Sequence, residues 1–159
     1  MDLFKFEVAE LFLSVGGMPE GDLSTDPKVN RFGTKEDIFP YYEFEVSPRN
    51  EFLVGKILSP HQASGAARFD YGFQSGFTHT AEISATGWTA EMRISLRPLG
   101  WDGDPAKVVG NLFAVLGDNS NRTYWSSFLP RQGSPDFHKP RYFQKLIHNE
   151  PGSSITNRV

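Results

Sequence analysis

Apolar residues recur at every second position through much of the chain, which is the period of a strand. "FKFEVAELFL" (4–13) alternates through Phe4, Phe6 and Val8, then shifts parity to Leu11 and Leu13, predicting one strand with a bulge near Ala9 and Glu10. "YYEFEV" (41–46) sets Tyr42, Phe44 and Val46 on one face and Tyr41, Glu43 and Glu45 on the other. "EFLVGKIL" (51–58) follows after Ser47, Pro48 and Asn50, so these two segments predict a hairpin. A second pair, 79–86 and 88–95, meets at Gly87, with Trp88, Ala90, Met92 and Ile94 on one face. "VVGNLFAVL" (108–116) has the near-continuous apolar character of a central strand, "TYWSSF" (123–128) returns beside it, and "YFQKLI" (142–147) closes the series.

That makes about eight strands and no sustained helical period, which predicts an all-β chain folded as an antiparallel β-sandwich. Residues 1–147 are expected to form a single domain and 148–159 a flexible C-terminal tail without apolar periodicity. The stretches 16–40 and 59–77 carry the Gly, Pro, Ser and Asp content of long loops.

Composition sharpens this picture. With 14 Phe, 5 Tyr and 3 Trp, much of the interior has to be built from rings, which suits sheets. A net charge of -3 and the lack of any Lys/Arg run give no general attraction for nucleic acid or an anionic membrane, and neither is expected as a partner. No cysteine is present, so disulfides, thiolate metal sites and a cysteine nucleophile are excluded. The apolar N-terminal stretch is interrupted by Asp2, Glu7 and Glu10 and has neither signal-peptide nor membrane-span character. As the sequence stands the expected location is cytoplasmic; an incomplete N-terminus would make it secreted or periplasmic.

Motifs for chemistry are sparse. Glu43 and Glu45 stand ~7 Å apart along one strand face, but they point the same way and cannot flank a glycosidic bond, so a solvated face is expected. His61, His79, His138 and His148 never reach metal-ligand spacing. "DGD" (102–104) and "DNSN" (118–121) offer oxygen atoms without the full alternation of a calcium loop, and turn chemistry accounts for them; calcium is the one ion they could take, and no cofactor is expected otherwise. There is no nucleophile elbow, phosphate loop or dinucleotide fingerprint, so an enzyme is disfavoured. A hydrolase using Glu10 or Asp136 with His138 as acid and base ranks last.

The better lead is rings beside polar groups, because a sugar packs its C–H face on an aromatic wall while its hydroxyls need fixed partners. Arg122, Trp125, Asp136 and His138 supply such parts, and "PDFHKPRYF" (135–143) is expected to anchor the loop before the last strand through Phe137 and Phe143.

The order "YYEFEVSPRN", "GWTAEMRISLRPLGW", "NLFAVLGDNSNRTYWSSFLP" and "PDFHKPRYFQKLI" resembles the family 9 carbohydrate-binding modules and their stand-alone relatives, which are DOMON-like β-sandwiches. The closing segment, with Asp136, Phe137, His138, Pro140 and Phe143, is the most specific part of the likeness, and Glu10 matches the family's acidic strand. The resemblance implies a non-catalytic carbohydrate-binding module with Glu10, Arg122, Trp125, Asp136 and His138 at its ligand surface. Two departures accompany it. Ser127 stands where sugar-binding members have a Trp, and Met1 begins almost at the first strand, where family domains have further strands. The second departure implies an incomplete N-terminus, or a sandwich lacking its first strands whose open sheet edge is covered by a homodimer or another chain. Such an interaction module, without sugar binding, is the alternative.

Overall fold

The computed structural model describes residues 3, 6–17, 40–58, 69–118, 121–126, 137–138 and 140–146, with backbone alone for Asp118, Ser126 and Arg141. Asp136, Ser127, most of the two long loops and the 148–159 tail lie outside the described residues. Within them the chain is an all-β, antiparallel sandwich, as the alternation predicts.

The strands are β1 (Val8–Ser14), β2 (Tyr41–Val46), β3 (Phe52–Ile57), β4 (Phe69–Asp70), β5 (Thr78–Ser84), β6 (Gly87–Arg93), β7 (Val109–Asp118), β8 (Asn121–Ser126) and β9 (Gln144–Lys145). Seven form one sheet in the order β4-β3-β2-β1-β7-β8, with β9 also on β7, and β5 and β6 form a second. Both predicted hairpins are present. Ser47 accepts the Glu51 N–H at its hydroxyl, and Asn50 takes the left-handed conformation at φ 62°. Short 3-10 turns at Arg97–Leu99, Pro105–Lys107 and Pro140–Tyr142 carry no signal in the alternation, and the last of these shortens the final strand to two residues.

Burial on both faces of the large sheet explains where the sequence reading of β1 goes astray. No bulge interrupts this strand: Val8 to Ser14 pair without a break with Val115 to Val109 of β7. Leu11 and Leu13 simply continue the face begun by Ala9, and both faces are apolar because both are covered. One face carries Leu13, Tyr42, Phe44 and Val54, over which lie Phe73, Phe77, Met92, Ile94 and Leu99. The opposite face carries Phe12, Tyr41, Ile57, Val109 and Phe113, covered by Phe69, Phe137 and Phe143.

β1 is therefore paired on both sides rather than left at an edge. Among the described residues the sheet edges are β8 and the β3–β4 side, where β4 pairs only with Lys56 and Ile57 and leaves Phe52 to Gly55 beyond it.

At the middle of the sheet, Gly110 of β7 lies opposite Leu13, and a Cβ there would stand 2.2 Å from the Phe12 carbonyl oxygen. Backbone on backbone cannot give way as a side chain can. Gly110→Ala is expected to cost about 3 kcal/mol or more in chemical denaturation; an alanine variant as stable as the parent would show that the β1–β7 approach is looser than described.

Candidate functional site

The covered face carries an unexpected set of groups. Glu10 pairs with Glu45 across β1 and β2, and Glu43 precedes Glu45 by two residues on the same face. The side chains retain 2%, 1% and 7% of their exposure for Glu10, Glu45 and Glu43, so the solvated-face expectation for Glu43 and Glu45 is overturned. β2 is buried along its whole length because both faces of the sheet are covered, and alternation cannot turn any of its residues to water.

One oxygen from each of the three carboxyls lies within 4.8 Å of the others. Burial drives all three pKa values above the ordinary carboxylate value of 4.5, and for Glu10 and Glu43 the charge of Glu45 adds to it. A hydrogen bond between Glu43 and Glu45 favours the proton on Glu43 and the charge on Glu45. Glu10 Oε1 and Glu45 Oε2 are buried without a hydrogen-bond partner. An unsatisfied buried polar atom costs about 1–3 kcal/mol, more if charged, so the arrangement calls for an explanation beyond stability.

Beside the carboxyls, a cavity of about 940 Å³ opens at the free part of the β3 edge, lined by Glu43, Glu45, Phe52, Phe69, Tyr71, Phe73, Gln74, Phe77 and His138 among others. Phe69 and Tyr71 stack with centroids 5.6 Å apart and rings 4° from parallel. Tyr71 can approach the sheet because residue 55 is glycine: a Cβ there would lie 3.2 Å from Tyr71 Cε1 and 3.7 Å from Glu43 Oε2. His138 is held against Phe12 and Phe69 at centroid distances of 5.1 and 5.6 Å, and its Nδ1 shares a 2.7 Å hydrogen bond with the Tyr41 hydroxyl.

The closing segment anchors as expected. Phe143 is fully buried edge-on to Tyr41, and half-buried Phe137 stacks on Phe113 at 4.2 Å. The other predicted site residues do not assemble into one surface. His138 lines the cavity, and Glu10 sits in the carboxyl cluster behind it. Arg122 lies across the sheet on β8, with its guanidinium 5.7 Å from the Tyr124 ring. Trp125 is 45% exposed and pairs with Ala114, whose side of the sheet is opposite to that of Phe113 and Glu10. Asp136 lies outside the described residues.

The "DGD" turn behaves as turn chemistry predicts. Asp102 accepts the Lys107 ammonium and the Asp104 N–H, while Asp104 accepts the Ala106 N–H and caps the following 3-10 turn. The sequence does not single out Tyr71, Phe69 or Gly55. Phe69 and Tyr71, two apart, lie inside a stretch whose glycines and serines give the signal of a loop.

Comparison with known proteins adds little to this geometry. The chain is 29% identical over 158 residues to a protein of Arthroderma benhamiae described as "Extracellular protein", an alignment covering 92% of this chain. The chain spans about 62% of the length of that relative. No family model and no solved structure matches. Among the described residues no helix is long and apolar enough to cross a membrane.

The carboxyl cluster makes stability depend on pH. Each group holds its proton more tightly folded than unfolded, so its contribution is complete below the unfolded value of 4.5 and is lost as pH rises through the folded values. In chelator-containing buffer the thermal midpoint of the wild type is expected to fall relative to that of Glu43→Gln as pH is raised over the range above the unfolded value of 4.5. A constant difference between the two proteins across that range would mean that the carboxyls ionise no differently in the folded chain.

Proposed function

We propose that this chain is a non-catalytic carbohydrate-binding module whose ligand sits in the ring-walled cavity beside β3. The observation that carries the reading is the convergence of Glu43, Glu45 and His138 on a cavity walled on their face of the sheet by Phe69 and Tyr71. Rings offer a face to the C–H surface of a sugar, and carboxylate oxygens accept from its hydroxyls. Charge-assisted hydrogen bonds of this kind are stronger than neutral ones, and the surrounding apolar wall keeps water from competing. Tyr71 at the rim is 59% exposed and gives the ligand a way in.

This places the seat away from Trp125, while keeping His138 from the surface that the family resemblance implies. A DOMON-like, family 9-like identity is supported by the sequence likeness and the sandwich architecture. The relative's description as extracellular fits a secreted location, where polymeric carbohydrate is a common ligand.

A second reading follows from β8, where Leu116 of the neighbouring strand and Trp125 are both exposed on one side of an edge strand. Such an edge suits pairing with another protein chain, including a second copy.

Calorimetric titration with a panel of mono- and oligosaccharides tests the first reading. Saturable binding is expected for at least one sugar, weakened about tenfold or more by Tyr71→Ala, since a stacked ring contributes on the order of 1.5 kcal/mol. Trp125→Ala is expected to leave the affinity unchanged. Absence of binding across the panel would sink the carbohydrate assignment, and dependence on Trp125 would move the seat to the other face. For the second reading, sedimentation of the wild type should show concentration-dependent association that Trp125→Ala removes; a monomer at all concentrations would dispose of self-association.

A further inference from the structure

The sugar seat uses one side of Glu43 and Glu45 and leaves Glu10 without a role. Glu10 is behind them on β1, paired directly with Glu45, and it is among the most completely buried polar side chains described. Three carboxyls on adjacent strands, packed in an apolar layer between Val8, Phe12 and Phe113, form an expensive arrangement if nothing occupies the space between them. No ion pair among the described residues includes any of the three, and the positive charge that acts on the set is the chain's terminal ammonium, which lowers Glu45 against the effect of its burial. The hydrogen bond between Glu43 and Glu45 satisfies part of the set, but Glu10 Oε1 and Glu45 Oε2 remain unpartnered in side chains that are 98% and 99% buried by their exposures of 2% and 1%.

We infer that Glu10, Glu43 and Glu45 form a binding site for one divalent cation of the oxygen-preferring class, with calcium the best fit. The donor set contains only carboxylate oxygen, without the imidazole or thiolate that zinc and copper favour. The three oxygens lie within 4.8 Å of one another, so one cation between them can be reached by all three carboxyls. Magnesium keeps most of its water and takes only one or two carboxylates, whereas calcium accepts several carboxylates in flexible geometry, which is what three of them on two strands offer. Three carboxylates also supply up to six oxygen atoms, enough for most of a calcium shell, and the cavity that reaches Glu43 and Glu45 gives the ion a path in and room for water. Binding displaces the proton held between Glu43 and Glu45, so the ion takes the place of that proton.

The site is distinct from the "DGD" turn, whose carboxylates are engaged by Lys107 and backbone N–H groups. It also does not depend on the sugar reading: the cation titration contains no saccharide, and the saccharide titration can be run in chelator.

The test is terbium luminescence and calorimetry on the chelator-treated full chain. Terbium should be sensitised by Tyr41, two residues before Glu43 on the same face, and calcium should displace it with a stoichiometry of about one per chain. Glu10→Gln and Glu45→Gln are each expected to weaken calcium at least about tenfold. In chelator both variants should keep a thermal midpoint at or above that of the wild type, which shows that they fold. No calcium binding at about 10 mM, beyond the range even of extracellular sites, would overturn the inference. So would calcium affinity unchanged in both variants, a result that would assign the ion elsewhere, to be checked with Asp102→Asn.

Discussion

The pairing of Glu10 with Glu45 across β1 and β2 is the constraint around which one face of this sandwich is organised. Two carboxyls set directly opposite each other in a buried ladder repel if both are charged, and neither can turn to water without breaking the sheet. Glu43, next on that face, relieves part of the problem by sharing a hydrogen bond with Glu45, and in doing so draws a third acid into the interior. Around this polar centre the rings of Phe12, Tyr41, Phe113 and His138 close the layer, and His138 in turn uses its Nδ1 to occupy the Tyr41 hydroxyl. Beside the buried Asn111, this face thus carries two neighbouring sets of polar groups, one of carboxyls and one of phenol and imidazole, with the cavity touching both.

The two faces of the large sheet have different chemistry because they are covered by different parts of the chain. The second sheet, β5 with β6, and the segment that follows it bring aliphatic and aromatic side chains to the Leu13 and Phe44 face, where the polar contact is the Tyr42 hydroxyl donating to the Leu99 carbonyl at 2.8 Å. That layer is a core in the ordinary sense. The opposite face is covered by residues close to loops and the chain's last strand, and polar side chains survive there. A sheet of this kind can keep a stable interior on one side while the other is given over to recognition.

Much of the architecture was legible in the sequence because strand alternation is a local signal. Tyr42, Phe44 and Val46 against Tyr41, Glu43 and Glu45 identified β2 and its faces correctly, and Gly87 and Ser47 to Asn50 marked the turns. What alternation cannot supply is what lies over each face. Glu43 and Glu45 appear solvent-exposed in an isolated strand, and their burial depends on β3, β4 and the closing segment arriving from up to about a hundred residues away. The same limit explains β1, where a change of parity signified two covered faces rather than a bulge. Residue type alone groups Trp125 with His138, but β8 and the closing segment place them on opposite sides of the sheet; Gly72 beside Tyr71 gives a strand end the local signal of a loop.

The segment from Phe69 to Phe77 passes around the β3 edge. It stacks Phe69 and Tyr71 over the carboxyl face and sets Phe73 and Phe77 against Tyr42 and Phe44 on the other. Nine residues of chain therefore tie the wall of the cavity to the main core, like a strap folded over a rim. A molecule entering the cavity cannot push Tyr71 outward without drawing on Phe73 and Phe77, so the stiffness of the recognition wall is set by packing on the far side of the sheet. Changes in that distant core would be felt at the cavity with no alteration to any residue that touches its contents.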